Sequence, residues 1–308
     1  MERIAVLCGG VGAARFLSGL VEVVDPERVT AIVNVADDDE FHGLHVSPDV
    51  DTVLYTLAGV VNEQQGWGRR DETFVAQEEL SRFGEDVWFR LGDRDLAVHI
   101  HRTRLLREGR SMTDVVDRLR HRFGIATTIL PATDERQQTH VRTRSGWISF
   151  QEYFVKRRTE DTILELGFEP AAAPTPQVTA ALAAADLVIV APSNPFVSIG
   201  PILALTGVND GVKAARSKVV AISPIVGGAA IKGPAAAMLA AFGHEVSALG
   251  IARIYRELAG SFVLDETDRA LAPAIASLGM RVSTVPTIMR DAQARRALAQ
   301  AALAVAAA

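Results

Sequence analysis

The start of the chain constrains its fold more than any other stretch. Arg3–Cys8 is a short apolar run rich in β-forming residues, and Gly9-Gly10-Val11-Gly12 follows it directly. Ala13–Val24 then carries Phe16, Leu17, Leu20, Val23 and Val24 at helical spacing, and Val29–Val35 is a second apolar run. Strand, glycine turn, helix and strand within about 35 residues make a βαβ unit. Such a unit implies a parallel sheet with right-handed crossovers, whose strands are buried on both faces.

The same rhythm returns late in the chain. Gln177–Ala185 reads as a helix, Leu187–Ala191 as a strand, the region near Asp210–Arg216 as a helix and Lys218–Ser223 as a strand. Pro234–Phe242, Ser261–Leu264, Arg269–Leu278 and Val282–Pro286 continue the alternation, and a last, alanine-rich helix from Asp291 reads as a surface element with a fraying tip. Between the two halves lie three amphipathic helical patterns, Thr73–Phe83, Arg94–Arg107 and Ser111–Phe123. Short alternating runs at Thr127–Leu130, Thr139–Arg144 and Trp147–Phe150 follow, with Ser145-Gly146 as a hairpin turn. Glu169–Pro176 is the clearest linker. The expected fold is therefore α/β: a Rossmann-like, mostly parallel sheet with helices on both faces and a largely helical insertion. The chain reads as a single α/β domain over residues 1–308, with its core at 1–55 and 175–308 and the insertion at about 56–174.

Composition narrows the class. A net charge of −5 argues against a dedicated nucleic-acid binder, which needs a basic surface. One cysteine, Cys8, excludes a disulfide framework or a cysteine zinc cluster within the chain, and suits a reducing cytoplasm. Set in the first strand, Cys8 reads as a small buried hydrophobe. No apolar run reaches the ~18–20 residues a membrane span needs, and Arg3–Cys8 is too short for a signal peptide.

Candidate site residues gather where strands end. Gly9, Gly10 and Gly12 lie between strand and helix, where backbone N–H groups and the helix N-terminus can receive a phosphate. The same glycines would equally serve a tight turn with close helix packing. No Walker A loop is present, and Arg15 stands where a dinucleotide fingerprint has its third glycine. Arg15 could add a cation to an anion site. Asp37, Asp38, Asp49 and Asp51 follow the second strand, with Asn34 beside them; oxygen donors of this kind suit Mg²⁺, and helix capping by Asp49 or Asp51 is the plainer alternative. Leu91-Gly92-Asp93-Arg94-Asp95 is a charged knot that suits phosphate contacts or a helix start, while His99 and His101, two apart, would face different ways on a helix. Ser193 and Asn194 stand between prolines just after a strand, and Ser223-Pro224 repeats that pattern after the next.

In order along the chain, several stretches resemble one family. They are Gly9–Ala13, Asn34–Asp38, Pro48–Tyr55, Trp67–Thr73, Leu91–Asp95, Leu130–Asp134, Phe150–Glu152, Ala191–Pro195 and Ser223–Ile225. The set is similar to the 2-phospholactate transferases of coenzyme F(420) biosynthesis, and Trp67–Thr73 looks most like the actinobacterial branch. The resemblance implies transfer of a phospholactyl or phosphoenolpyruvyl group from a guanosine-diphosphate-activated donor to the deazaflavin FO. GMP would leave, with Mg²⁺ as cofactor. It implies Asp51 and Arg94 as catalytic and substrate-binding residues, with Asp51 at the acceptor hydroxyl. It implies Gly9, Gly10, Gly12, Ser193 and Asn194 as further substrate contacts, and Asp37, Asp38 and Asp51 as metal ligands. Where the family tends to carry tryptophan this chain has Glu40, followed by Phe41, so stacking on the deazaflavin would either pass to Phe41 or be lost. The implied partners are these small molecules; charge and apolar-run length leave no nucleic acid and no membrane among them, and a homodimer is expected because the helical insertion could bury an apolar face. Competing readings are an NAD-type oxidoreductase and a non-catalytic guanine-nucleotide-binding module.

Overall fold

The computed structural model describes residues 2–307. Seven parallel strands form the main sheet: β1 (Ile4–Cys8), β2 (Val29–Val33), β3 (Thr128–Pro131), β4 (Leu187–Val190), β5 (Val219–Ile222), β6 (Ser261–Asp265) and β7 (Arg281–Val285). Their order across the sheet is β3-β2-β1-β4-β5-β6-β7. The chain thus builds outward from β1 in one direction, then returns to its other side and builds outward again.

Side chains on a strand alternate between faces, and β1 shows the result. Ile4, Val6 and Cys8 enter one apolar cluster while Ala5 and Leu7 enter another. All five are buried, as expected for a central strand covered on both sides. The first cluster is closed by α1 (Gly10–Leu20), α2 (Pro48–Leu57), α5 (Met112–Arg122) and the helix Ala292–Ala307. The second is closed by helices from the C-terminal half, including Pro176–Ala184 and Ala248–Tyr255. Cys8 is wholly buried, as its position in β1 suggested.

Helix α1 begins at Gly10 rather than Ala13, because the glycines are wound into its first turn. The alanine-rich C-terminal helix is more than a surface element: Leu298, Ala299 and Ala302 are wholly buried. Its small side chains let its backbone come close to α1. A Cβ on Gly19 would lie 2.4 Å from the Arg295 carbonyl, so glycine is required where the two helices meet.

The stretch 56–174 does not stand wholly outside the core. Thr128–Pro131, read as part of the insertion, is the edge strand of the main sheet and pairs with β2 from Thr30 to Val33. The remainder splits in two. Before β3 the chain is helical, with α3 (Val75–Arg82), α4 (Asp93–Arg107) and α5. After β3 it forms a three-stranded antiparallel sheet of Gln138–Thr143, Gly146–Ser149 and Glu165–Glu169, turned at Ser145-Gly146. Val141, Phe150, Tyr153 and Ile163 pack this small sheet against Val197 and Met238. Among the described residues no helix is long and apolar enough to cross a membrane.

Candidate active site at the carboxyl edge of the sheet

Strand order reverses between β1 and β4, and their carboxyl ends open onto a crevice. In open α/β sheets this is where ligands bind. The crevice is a cleft of about 820 Å³, within the range of small-molecule sites. Gly9–Gly12 forms its floor after β1, and Pro192–Asn194 faces it after β4.

Each glycine of the turn answers a different need. Gly10 has φ +71°, a region that favours glycine. A Cβ on Gly9 would come within 2.5 Å of Asp49 Oδ2, and one on Gly12 within 2.3 Å of the Pro192 carbonyl oxygen. Ser193 Oγ donates to the Gly9 carbonyl oxygen at 2.9 Å, fastening the two strand ends together. Asn194 caps the following turn, its Oδ1 accepting from the Phe196 N–H at 2.9 Å. Both residues line the cleft, with much of their hydrogen-bonding capacity spent on the scaffold.

Helix α2 starts at Pro48, a favoured first position, so Asp49 and Asp51 fall in its first turn. Two residues apart on a helix they diverge by about 200°. Asp49 turns to the glycine turn, where Asn34 Nδ2 donates to its Oδ2 at 3.0 Å. Asp37 lies nearby, and its buried Oδ1 has no hydrogen-bond partner. Burial pushes the Asp49 carboxyl up to about 6 against the Asn34 hydrogen bond. Burial and the Asp49 charge push Asp37 well above the usual carboxylate range. A carboxylate pair packed against the glycine turn would repel a phosphate placed there unless a cation lay between them. The orphaned Asp37 oxygen and the all-oxygen donor set fit Mg²⁺, which commonly takes one or two carboxylates and completes its shell with water and substrate phosphates.

The pair differs from the expected trio of Asp37, Asp38 and Asp51. Asp38 is turned away from the cleft, accepting from Ser47 Oγ at 2.7 Å and lying 3.0 Å from His45 Nε2. Asp51 forms a two-pronged ion pair with Arg102, whose Nη1 donates to Oδ2 at 3.0 Å and whose Nη2 donates to Oδ1. Among the described residues no group of three or more Asp, Glu, His or Cys is placed to hold a metal ion.

Helix α4 presents a polar stripe to α2. Asp95, His99 and Arg102 are spaced i, i+4, i+7 and so share one face, as do Asp51 and Tyr55 on α2. Arg102 is wholly buried. Its Nη1 also lies 3.3 Å from His99 Nδ1, which must accept, so the imidazole is neutral. Burial lowers His99 to about 4, in line with that tautomer. Asp95 lines the cleft and is pushed up to about 7, first by burial and then by the Asp51 charge.

Arg94 departs from its expected place. One residue before Asp95, it projects from another face of α4, is exposed and lies outside the cleft. The motifs Trp67–Thr73 and Leu91–Asp95 meet through their acids instead. The Glu72 carboxylate accepts from the Arg94 N–H at 2.6 Å at the start of α4, and Asp93 accepts from the N–H groups of Val75 and Ala76 at the start of α3. Phe41 is not in the cleft either: it is buried, with its ring stacked on Phe89 at 4.0 Å between centroids. Phe89 and Trp88 line the cleft above it.

The sequence left further cleft residues unassigned: Tyr55, Arg90, Asp95, Lys232, Thr287 and Arg290. The i, i+4, i+7 polar spacing on α4 was a readable signal for Asp95. Tyr55 shares a face of α2 with Asp51, Thr287 and Arg290 share the loop after β7, and Arg90 and Lys232 come from two further loops. Arg15 does line the cleft, where Arg15 Nη2 donates to the Glu63 carbonyl at 3.2 Å and Lys232 Nζ to the Gln65 carbonyl at 2.7 Å. The two cations thus hold one loop across the cleft mouth.

Comparison with known proteins bears on this site. The family model described as 2-phospho-L-lactate transferase CofD matches residues 4–277. The chain is 43% identical to a phosphoenolpyruvate transferase of Streptomyces griseus, covering 98% of this chain and 97% of that protein. It is 40% identical to a phosphoenolpyruvate transferase of Mycobacterium marinum, with 98% of each covered. It is 38% identical to a 2-phospho-L-lactate transferase of Methanosarcina acetivorans, with 96% of each covered. In fold it is similar to the crystal structure of a UPF0052-family protein from Bacillus halodurans, with a TM-score of 0.64 at 15% identity over 98% of both chains.

Proposed function

The chain belongs to the CofD family of 2-phospho-L-lactate transferases, which act in coenzyme F(420) biosynthesis, and from that premise we propose the reaction it performs. A guanosine-diphosphate-activated three-carbon acid phosphate is the donor and the deazaflavin FO the acceptor. The terminal ribityl hydroxyl of FO attacks the phosphorus bearing the three-carbon group, GMP leaves, and F(420)-0 or its dehydro form results. The observation carrying this reading is the cleft at the β1–β4 switch point, where an anion-binding turn, a carboxylate pair and aromatic walls face one space. The relatives named phosphoenolpyruvate transferase favour the enolpyruvyl donor.

Phosphoryl transfer depends on positioning and charge neutralisation more than on covalent help. The N-terminus of α1 and the glycine turn receive the diphosphate, with Arg15 and Lys232 as flanking cations. Asp37 and Asp49 would hold Mg²⁺, whose chemistry is to neutralise phosphate oxygens and the leaving GMP. Asp51, its charge balanced by Arg102, positions the acceptor hydroxyl as a hydrogen-bond acceptor. Trp88 and Phe89 offer faces for the deazaflavin ring, and Ser193 and Asn194 bound the nucleotide side.

The test is mass spectrometry of product made from FO, Mg²⁺ and donors guanylated from 2-phospholactate, phosphoenolpyruvate or 3-phosphoglycerate. A metal-dependent product with GMP release supports the reading, and its mass names the three-carbon group. No product from folded protein that binds GDP overturns it in favour of a nucleotide-binding module.

A further inference from the structure

We propose that Asp95, and not Asp51, takes the proton of the attacking hydroxyl; this rests on the transferase reading above. Four carboxylates line the cleft: Asp37, Asp49, Asp51 and Asp95. Asp37 and Asp49 lie by the glycine turn, at the diphosphate end. Asp51 has both oxygens bonded to the buried Arg102 guanidinium, so its carboxylate is already engaged in the scaffold. Asp95 is the one left. It is 8% exposed, and its buried Oδ1 has no hydrogen-bond partner. Nor is its carboxylate spent on the helix start, since Glu72 takes the N–H groups of Arg94 and Asp95 there.

The groups facing Asp95 are Asp51 and Tyr55 from α2, and Glu72 and Arg69 from the segment before α3. Two acids against one arginine leave it short of positive partners, so a proton is welcome. The buried Tyr55 hydroxyl, which has no other partner, faces this carboxyl as a donor and offsets part of the push from the two acids. Gly68 is near, with a Cβ there reaching 3.8 Å from Asp95 Oδ2, so the aromatic loop carrying Trp67 roofs the carboxyl. A base poised near neutral pH is what proton removal from an alcohol calls for. In the step, the hydroxyl oxygen bonds to phosphorus and the bond from phosphorus to the GMP oxygen breaks. The electron pair leaves with GMP, and the hydroxyl proton passes to Asp95 and then to solvent.

The experiment measures kcat, KM for FO and their pH profiles for the wild type, Asp95→Asn and Asp95→Glu, with GDP affinity and thermal melting as controls. Asp95→Asn should lower kcat by about 10²–10⁴-fold, leave KM and GDP affinity within about 3-fold, and remove the acid limb of the wild-type profile; Asp95→Glu should restore part of the rate. A kcat for Asp95→Asn near the wild-type value with the acid limb intact overturns the proposal. So does a wild-type kcat that is flat from acid to neutral pH, a result that holds even where the variants melt early. If the wild type makes no product with any donor, the transferase reading fails first and Asp95 loses its role with it.

Discussion

Asp51 and Arg102 join α2 to α4 through a two-pronged ion pair whose guanidinium is wholly buried. Removing one member of such a pair strands a charge in a dry environment. Asp51→Asn or Arg102→Met is therefore expected to cost about 3–5 kcal/mol of stability, read from urea unfolding. Arg102→Lys should not restore it, because an ammonium cannot reproduce the planar fork. An inactive Asp51→Asn would then report a lost scaffold as much as a lost contact with substrate.

The Asp37–Asp49 pair predicts a linkage between metal, pH and stability. Both carboxyls are raised in the folded state. A raised group binds more protons folded than unfolded, so its contribution is fully present at low pH and is lost as pH rises through the folded value, about 6 for Asp49. A divalent cation bound there would replace the proton. Excess MgCl₂ should thus raise the melting temperature clearly at pH 8 and little at pH 5. Asp37→Asn should abolish that response and, without metal, melt roughly 2–4 °C higher than the wild type at pH 8. Equal Mg²⁺ shifts at both pH values would count against the carboxylate pair as the cation site.

Gly12 tests the reading of the turn. With the Pro192 carbonyl oxygen 2.3 Å from where its Cβ would be, Gly12→Ala must push β1 and β4 apart at their carboxyl ends. The expected cost is about 1–3 kcal/mol, together with weaker GDP binding by calorimetry. Unchanged stability and affinity would mean that the turn is loosely packed.

The Phe41–Phe89 stack gives a test that separates acceptor from donor. Phe89 lines the cleft while Phe41 supports it from below. Phe89→Ala should weaken FO binding about 3–10-fold, the worth of one aromatic contact, and leave GDP binding unchanged. Phe41→Leu should act in the same direction but less, through a less firmly held Phe89. Fluorescence titration of FO measures both.

Much of the frame was legible because it rests on local pattern. β1, its glycine turn and the alternating C-terminal half carry periodicities of two and of 3.6, and these dictate a parallel sheet covered on both faces. Thr128–Pro131 was readable as a strand but not as part of the main sheet, since nothing in four residues tells which edge they will join. The site was legible by position, at strand ends, and less so by direction. Asp49 and Asp51 look equivalent in the chain, yet about half a turn of helix between them sends them to different neighbours. The same geometry takes Arg94 out to solvent and brings Asp95 in. Lys232 and Arg290 were silent because only the completed fold brings their loops to the cleft.

Ile4 pairs with Leu187 where β1 meets β4. The two walls of the cleft are therefore contributed by segments made far apart in time during synthesis. A nascent chain shorter than about 190 residues can close β1 against β2, but it has no second wall at the crevice and no Ser193 to fasten it. Closing so long a loop is slow, since its entropy is lost before any pairing repays it. Ligand-binding competence should consequently emerge as one of the last events of folding, and a substrate or metal present at that moment would act on the rate of native-state formation as well as on catalysis.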